Sequence, residues 1–321
     1  MIAGPRHPLL SVACGVVFLT LLGGATPSLA ADLRIEVAEE GWGGATRADV
    51  KAVLVSAAQP LWKAAGSPQL PLIRVEPSGG PIVLHRRDPD GAIRVRLAVQ
   101  GRRWAQMAYQ FGHEMSHILC GFDEDPDSHH WLEEAACEAA SLFTLRKMAR
   151  NWKRDPPYAN WSSYSEHLEA YAQELIDKGA LPEGATIESY YRQHRVAVQS
   201  SPVKRDKLLV IAVGWLHRME QDPGVWRALR YLNQGVPESR ELIDDALRRW
   251  KSNCPGELRV QVDRVAEMLG VAIESDDGKV EDVDDYVRDI SRVKPTDSRS
   301  PSGILTSPTR YRCSMFLRCE T

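Results

Sequence analysis

The sequence predicts an α+β fold, in which a small sheet-containing lobe precedes an all-helical lobe. Four short segments of the first part are typical of strands, and two of them alternate apolar with other residues: 33–38, 72–75, 82–85 and 92–99. From Arg103 onward the apolar residues recur at helical spacing instead. We therefore divide the chain into a leader (1–30), an N-terminal α/β lobe (31–122), a helical lobe (123–272) and a tail (273–321).

Local signals place the elements within these regions. Thr46 is a good N-cap for a helix over 46–65, and the Asp88-Pro89-Asp90-Gly91 turn makes 92–99 the expected hairpin partner of the strand before it. Later helices are predicted at 103–119, 131–150, 164–178, 186–198, 205–220, 223–233, 238–251 and 256–269. The tail has no periodicity, which predicts a mobile segment.

The first thirty residues have the pattern of an export signal. An apolar run from Leu9 to Leu22 is followed by Ser28-Leu29-Ala30, which predicts cleavage after Ala30 and a secreted or periplasmic protein. The alternative is an uncleaved membrane anchor, although the run is short for a span of about 20 residues. The formal net charge of −3 and the lack of a basic stripe argue against a nucleic-acid partner.

Five cysteines remain after the leader, and an exported protein can keep disulfides. Cys120 and Cys137 flank the most informative part of the chain. A disulfide between them and a pair of buried free thiols are both open alternatives.

That part of the chain contains an H-E-x-x-H motif, His113-Glu114-Met115-Ser116-His117. Histidines four residues apart lie on one helix face, so both can bind one metal ion. Glu114 between them can take a proton from an attacking water, and zinc is the metal that suits this chemistry. The motif lies opposite the apolar stripe of its helix, which predicts that the histidines face a cleft. An ordinary amphipathic helix with two polar histidines is the alternative.

A catalytic zinc site needs a third protein ligand, and the next helix offers one. Glu134, Cys137 and Glu138 share a face of that helix with small and apolar residues, which is unusual for a solvated face. Glu133 points elsewhere and is expected to be exposed. The alternatives are a surface pair of glutamates and, less suited, Cys137 as a ligand.

His113-Glu-x-x-His117 followed by Trp131-Leu132-Glu133-Glu134-Ala135 resembles the gluzincin peptidases, which include thermolysin-like enzymes and large zinc aminopeptidases. The resemblance implies a zincin-like fold, with zinc on His113, His117 and Glu134 and proton transfer by Glu114. It also implies that Glu138 hydrogen-bonds a zinc histidine.

The chain departs from these families in two respects. The segment with which the aminopeptidases hold a substrate amine is absent, and no tyrosine stands at the position of their transition-state tyrosine. Tyr190, Tyr191 or His194 could stabilise the oxyanion instead. Asp123 is a rival third ligand, because some short zinc peptidases have an aspartate six residues after the second histidine. Their pattern needs a glycine where this chain has Cys120.

The sequence therefore predicts a zinc peptidase, preferentially an endopeptidase, acting on a peptide or protein substrate. If the strand at 92–99 forms the sheet edge, an extended peptide could pair with it across the metal. A metal-retaining binding protein without turnover and a zinc hydrolase of non-peptide amides or esters are the alternatives.

Overall fold

The structure of the chain is a computed structural model, which describes Met1 and residues 32–121, 129–200, 205–235 and 241–273. Contacts divide the chain into Met1–Ala30 and Ala31–Thr321, and the elements below all belong to the second unit. Three predictions fall outside the described residues: the export signal with its cleavage site, Asp123, and the tail beyond residue 273. Within the described residues, no helix is long and apolar enough to span a membrane.

A four-stranded sheet forms the first layer of the fold. Its strands are β1 (Ile35–Val37), β2 (Ile73–Pro77), β3 (Ile82–Leu84) and β4 (Ile93–Leu97), in the spatial order β1-β2-β4-β3. The first three strands of that order are parallel, and β3 is antiparallel to β4. The predicted hairpin of β3 and β4 is therefore confirmed.

The segment 92–99 does not form the sheet edge, so the condition set for peptide pairing with it is not met. Strand β4 lies inside the sheet, because β2 pairs with it along the side that β3 leaves open. Its inward residues Ile93, Val95 and Leu97 are fully buried, as two-sided pairing and packing require. The edge strand next to β4 is β3.

Helix α1 (Arg47–Ala64) packs against strand β1 and confirms the helix predicted there. Thr46 is its N-cap, and the Thr46 hydroxyl accepts a hydrogen bond of 3.1 Å from the backbone N–H of Asp49. The buried residues of α1 recur at helical spacing and pack against β1 and the two helices that follow the sheet.

Those two helices, α2 (Trp104–Leu119) and α3 (His130–Trp152), form the centre of the molecule. They approach each other closely at Gly112, where an added Cβ would lie 3.0 Å from Thr144 Oγ1 and 3.4 Å from Ser141 Cα. Alanines at 135, 136, 139 and 140 are also fully buried. Small residues on both helices thus allow a close approach that larger side chains would prevent.

The remaining described elements pack around α3 and largely confirm the predicted helices. They are a 3-10 helix (Ala159–Tyr164), α4 (Ser165–Lys178), α5 (Ile187–Ser200), α6 (Arg205–Gln221), α7 (Gly224–Leu229), α8 (Ile243–Asn253) and α9 (Gly256–Leu269). Helix α7 ends four residues earlier than predicted. Its Ala228 carbonyl accepts hydrogen bonds from Trp250 Nε1 and from the turn at Tyr231, so the chain leaves the α-helical path there.

The chain therefore has a mixed α+β structure, in which a small sheet and α1 support a central pair of helices. Both members of that pair carry residues that the sequence marks as candidate metal ligands.

Candidate metal centre

The structure brings His113, His117 and Glu134 together between α2 and α3. His113 Nε2 lies 3.1 Å from one carboxylate oxygen of Glu134, and His117 Nε2 lies 3.6 Å from the other. The two imidazole rings are one helical turn apart, with their centroids 4.9 Å apart. One ligand atom from each of the three residues falls within a mutual distance of 4.8 Å. Two nitrogens and one carboxylate in this arrangement form a donor set that suits zinc.

This centre is more enclosed than the sequence predicts. The apolar stripe of α2 packs inward as expected, but the opposite face is also covered, because α3 lies against it. The His113 side chain is 1% exposed and the His117 side chain 13%, whereas Glu134 is 25% exposed. Solvent thus reaches the candidate centre mainly at Glu134.

Glu138 lies on the outer side of His113, one helical turn after Glu134. One of its carboxylate oxygens is 3.7 Å from His113 Nδ1, and the other accepts a hydrogen bond from the Tyr109 hydroxyl. Tyr109 precedes His113 by one turn of α2 and so supports Glu138 from the same helix as the histidine. The Glu138 carboxylate is thus within ion-pair distance of His113, but 3.7 Å is longer than the hydrogen bond that the resemblance implies.

Glu133 corrects a prediction, because it is neither exposed nor directed elsewhere. Its carboxylate oxygen lies 2.7 Å from His117 Nδ1, and its side chain is 12% exposed. The prediction failed because it assigned one buried face to a helix that is buried on several sides. Each histidine therefore has a carboxylate on its Nδ1 side and Glu134 on its Nε2 side. Such outer carboxylates fix the imidazole tautomer and raise its basicity.

The surrounding carboxylates change the protonation of His117. Burial by itself lowers the pKa of His117, but the Glu133 carboxylate, with Glu134 and Glu114, outweighs this effect and raises the pKa to about 10. Without a metal ion, His117 is therefore protonated at neutral pH. A metal ion must displace that proton in order to bind.

Glu114 is buried beside the two histidines, with 1% of its surface exposed. Burial raises the pKa of its carboxyl group, whereas His113 and His117 oppose that rise, as does a backbone hydrogen bond at Val83 of β3. Its Oε1 atom has no hydrogen-bond partner among the described residues. A buried carboxylate oxygen without a protein partner is costly, unless a water or substrate group binds there.

Cys137 lies close to this cluster but is less suited to bind the metal. It forms a second possible group of ligands with His117 and Glu133. Burial, contact with Cys120 and the nearby carboxylates raise the pKa of the Cys137 thiol well above its usual range. The thiolate that a metal requires is therefore disfavoured, and Glu133 already contacts His117 Nδ1.

The aromatic residues considered for oxyanion stabilisation have packing contacts. Tyr191 stacks on Trp131 with ring centroids 5.1 Å apart, and its hydroxyl accepts a hydrogen bond from Gln199. Tyr190 is buried against His194, at 4.5 Å between centroids. His129, the residue directly before α3, is buried and its Nε2 contacts the Glu241 carbonyl.

The three candidate ligands can hold a metal ion, and the chemistry of this donor set suits zinc. The two carboxylate oxygens of Glu134 face the Nε2 atoms of the two histidines. Three protein ligands of this kind would leave one zinc position open for water. Comparison with protein families, curated proteins and solved structures finds no match to this chain. The assignment of a function therefore depends on the site itself.

Proposed function

We propose that the chain is a zinc-dependent hydrolase that cleaves peptide bonds with an activated water, as an endopeptidase of the gluzincin type with a zincin-like fold. One observation carries the proposal: the Nε2 atoms of His113 and His117 both face the carboxylate of Glu134, while Glu114 is buried next to them. A purely structural metal site would not need Glu114.

The roles of the residues follow from their positions. His113, His117 and Glu134 would hold the zinc ion, with Glu133 and Glu138 keeping the histidines oriented. When bound, zinc supplies a Lewis acid that acidifies water and polarises a carbonyl group. Glu114 accepts the proton of the attacking water and delivers it to the leaving amine.

The raised pKa of Glu114 supports this role, because a carboxylate with a higher pKa is a better proton acceptor. Two other features of the site also favour proton transfer by Glu114. Burial excludes bulk water, and the backbone hydrogen bond at Val83 holds the carboxyl group in place. Glu114 can therefore exchange a proton without moving.

Strand β3 is the expected contact surface for the substrate. It is one of the two edge strands of the described sheet, has β4 as its only partner among the described strands, and approaches Glu114 through Val83. An extended peptide that pairs with β3 would have its backbone beside the proton acceptor, which is β-augmentation used for substrate binding. Strand β3 therefore replaces β4 as the strand expected to pair with a peptide, because the sheet order places β4 inside the sheet.

Metal content and turnover of a mixed peptide library, measured on the full chain, test the proposal. We expect about one zinc per chain and cleavage at internal bonds. Glu114→Gln should keep the zinc and lose about 10²–10⁴-fold in turnover. Glu169→Gln, an exposed position on α4, is the matched control and should retain full activity.

The possible outcomes separate the alternatives. A zinc-loaded chain that cleaves no peptide, amide or ester would be a binding protein. Turnover of esters or non-peptide amides alone would identify a different hydrolase. A fully active Glu114→Gln protein would refute the mechanism.

The export signal predicted over residues 1–30 gives the proposal a cellular setting. We propose that the mature chain begins at Ala31 in the periplasm or medium. N-terminal sequencing of the native protein tests this, and an intact Met1 in a membrane fraction would contradict it.

A further inference from the structure

Two thiols that the proposed chemistry does not use lie in contact beside the candidate metal centre. Cys120 is the C-cap of α2, three residues after His117, and Cys137 is three residues after Glu134 on α3. Both are fully buried, and a side-chain hydrogen bond joins them. They are free thiols in the structure.

From this contact we propose that Cys120 and Cys137 form a disulfide that joins the end of α2 to α3 next to the metal ligands. The two thiols are already in hydrogen-bonding contact, and a disulfide requires sulfur atoms about 2.0 Å apart with Cβ atoms about 3.5–4.5 Å apart. Cys254 provides the contrast. It is also buried, but its Sγ contacts the Ala228 carbonyl and no thiol among the described residues.

Local charge favours a disulfide over a second metal ion at this pair. A metal would need deprotonated sulfur, and thiolates here would lie near the carboxylates of Glu133 and Glu134. A disulfide is neutral and needs no charge to be buried. Glu133 is also occupied by its short contact with His117 Nδ1.

The bond forms by exchange with an external disulfide, such as oxidised glutathione or a protein disulfide. Two S–H bonds of the chain break and one S–S bond forms, while two electrons and two protons pass to the oxidant, which leaves as two thiols. Because both thiols are fully buried in the folded chain, this exchange takes place during folding. Burial afterwards protects the bond from reduction until the chain unfolds.

The disulfide would hold two ligand-bearing segments together. It closes a loop that spans residues 121–136, and His117 and Glu134 lie three residues from its two ends. A cross-link that closes a loop of this size lowers the conformational entropy of the unfolded chain. Reduction should therefore lower the melting temperature by about 5–10 °C. The inference does not depend on whether the chain hydrolyses peptides.

Peptide mapping of the full chain, folded with oxidised glutathione, tests the bond directly. Free thiols are alkylated under denaturing, non-reducing conditions before digestion. Trypsin leaves both cysteines in one fragment, Trp104–Arg146, since no lysine or arginine lies between. That fragment should be unalkylated and two hydrogens lighter than its reduced form. Cleavage at the acidic residues 123–125 should then give two peptides that separate only on reduction.

Several results would overturn the proposal. Alkylation of both cysteines in the oxidised sample would do so, as would a cross-link from either one to Cys254, Cys313 or Cys319. Two zinc ions per chain, falling to one in Cys137→Ser, would show that the pair binds metal.

Cysteine variants measure how far the proposed disulfide stabilises the chain. The melting temperature of the Cys120→Ser/Cys137→Ser protein should not respond to reductant, whereas Cys254→Ser should respond like the unchanged chain. Equal responses in both variants would contradict the assignment, because the stabilising bond would then lie elsewhere.

Discussion

Glu133 and Glu134 are sequence neighbours to which the structure assigns different tasks, and zinc affinity can separate them. Glu134 faces the Nε2 atoms of both histidines, whereas Glu133 contacts His117 Nδ1 at 2.7 Å. Glu134→Ala should remove a direct ligand. Glu133→Ala should remove only the group that orients a ligand.

The expected losses differ in size. An outer carboxylate is worth about 10–100-fold in metal affinity, which corresponds to roughly 1.4–2.7 kcal/mol. Because Glu133 is largely buried and its contact is short, we expect Glu133→Ala near the upper end of that range. Glu134→Ala should lose more than about 100-fold. Glu133→Gln keeps a side-chain oxygen that can accept from Nδ1–H, so it should recover part of the loss.

Proton competition adds a pH dependence to this comparison. Glu133 raises the pKa of His117, so in the unchanged chain zinc must displace a proton at every pH below about 10. Its apparent zinc affinity should therefore rise about tenfold per pH unit between roughly pH 7 and 9. Without Glu133 the pKa of His117 falls and the rise becomes shallower. The loss of zinc affinity that Glu133→Ala causes should consequently become larger as the pH increases.

Competition between each protein and a chromogenic chelator, repeated at about pH 7.0, 8.0 and 8.5, measures these affinities. Glu169→Ala is the matched control, since Glu169 is exposed and lies on α4. Equal losses for Glu133→Ala and Glu134→Ala, or a deficit that narrows with pH, would refute the division of tasks.

Three further predictions concern the same centre. The metal-free protein should become less stable to urea as the pH rises from about 7 to 10. The raised pKa of His117 stabilises the fold fully below the unfolded value of 6.5, and that contribution is lost as the pH rises to about 10. A constant urea midpoint over this range would contradict the prediction. Gly112→Val should destabilise the chain by about 1–3 kcal/mol in urea unfolding and weaken zinc binding, since an added Cβ already lies 3.0 Å from Thr144 Oγ1. Asp123→Ala should keep zinc after dialysis against a weak chelator, and loss of the metal there would favour the rival ligand set.

Much of the candidate centre could be predicted from local spacing. A separation of four residues places His113 and His117 on one helix face whatever surrounds the helix, because the turn of an α-helix is fixed. Glu134 could be named for a similar reason, since it shares a helix face with small and apolar residues. The contacts of both histidines with Glu134 agree with that reasoning.

Other features depended on the packing of distant elements. Strand β4 alternates apolar residues as an edge strand can, and only its pairing with β2 shows that it is interior. Glu133 is predicted to be exposed if α3 has a single buried face, but α3 contacts α1, α2, α4 and α6. The pairing of a strand with distant strands leaves no periodic pattern in the sequence of that strand. The burial of a helix on several sides leaves none in the sequence of that helix.

The sequence by itself determined the helices and strands, the two histidines with Glu114 between them, and the favoured third ligand. These properties depend on geometry within a few residues along the chain. The tertiary structure alone decided that β3 is the edge beside Glu114, that Glu133 holds His117, and that Cys120 meets Cys137. Each of those contacts joins segments whose approach is set by close packing of α2, α3 and the sheet, and packing is a property of the whole fold.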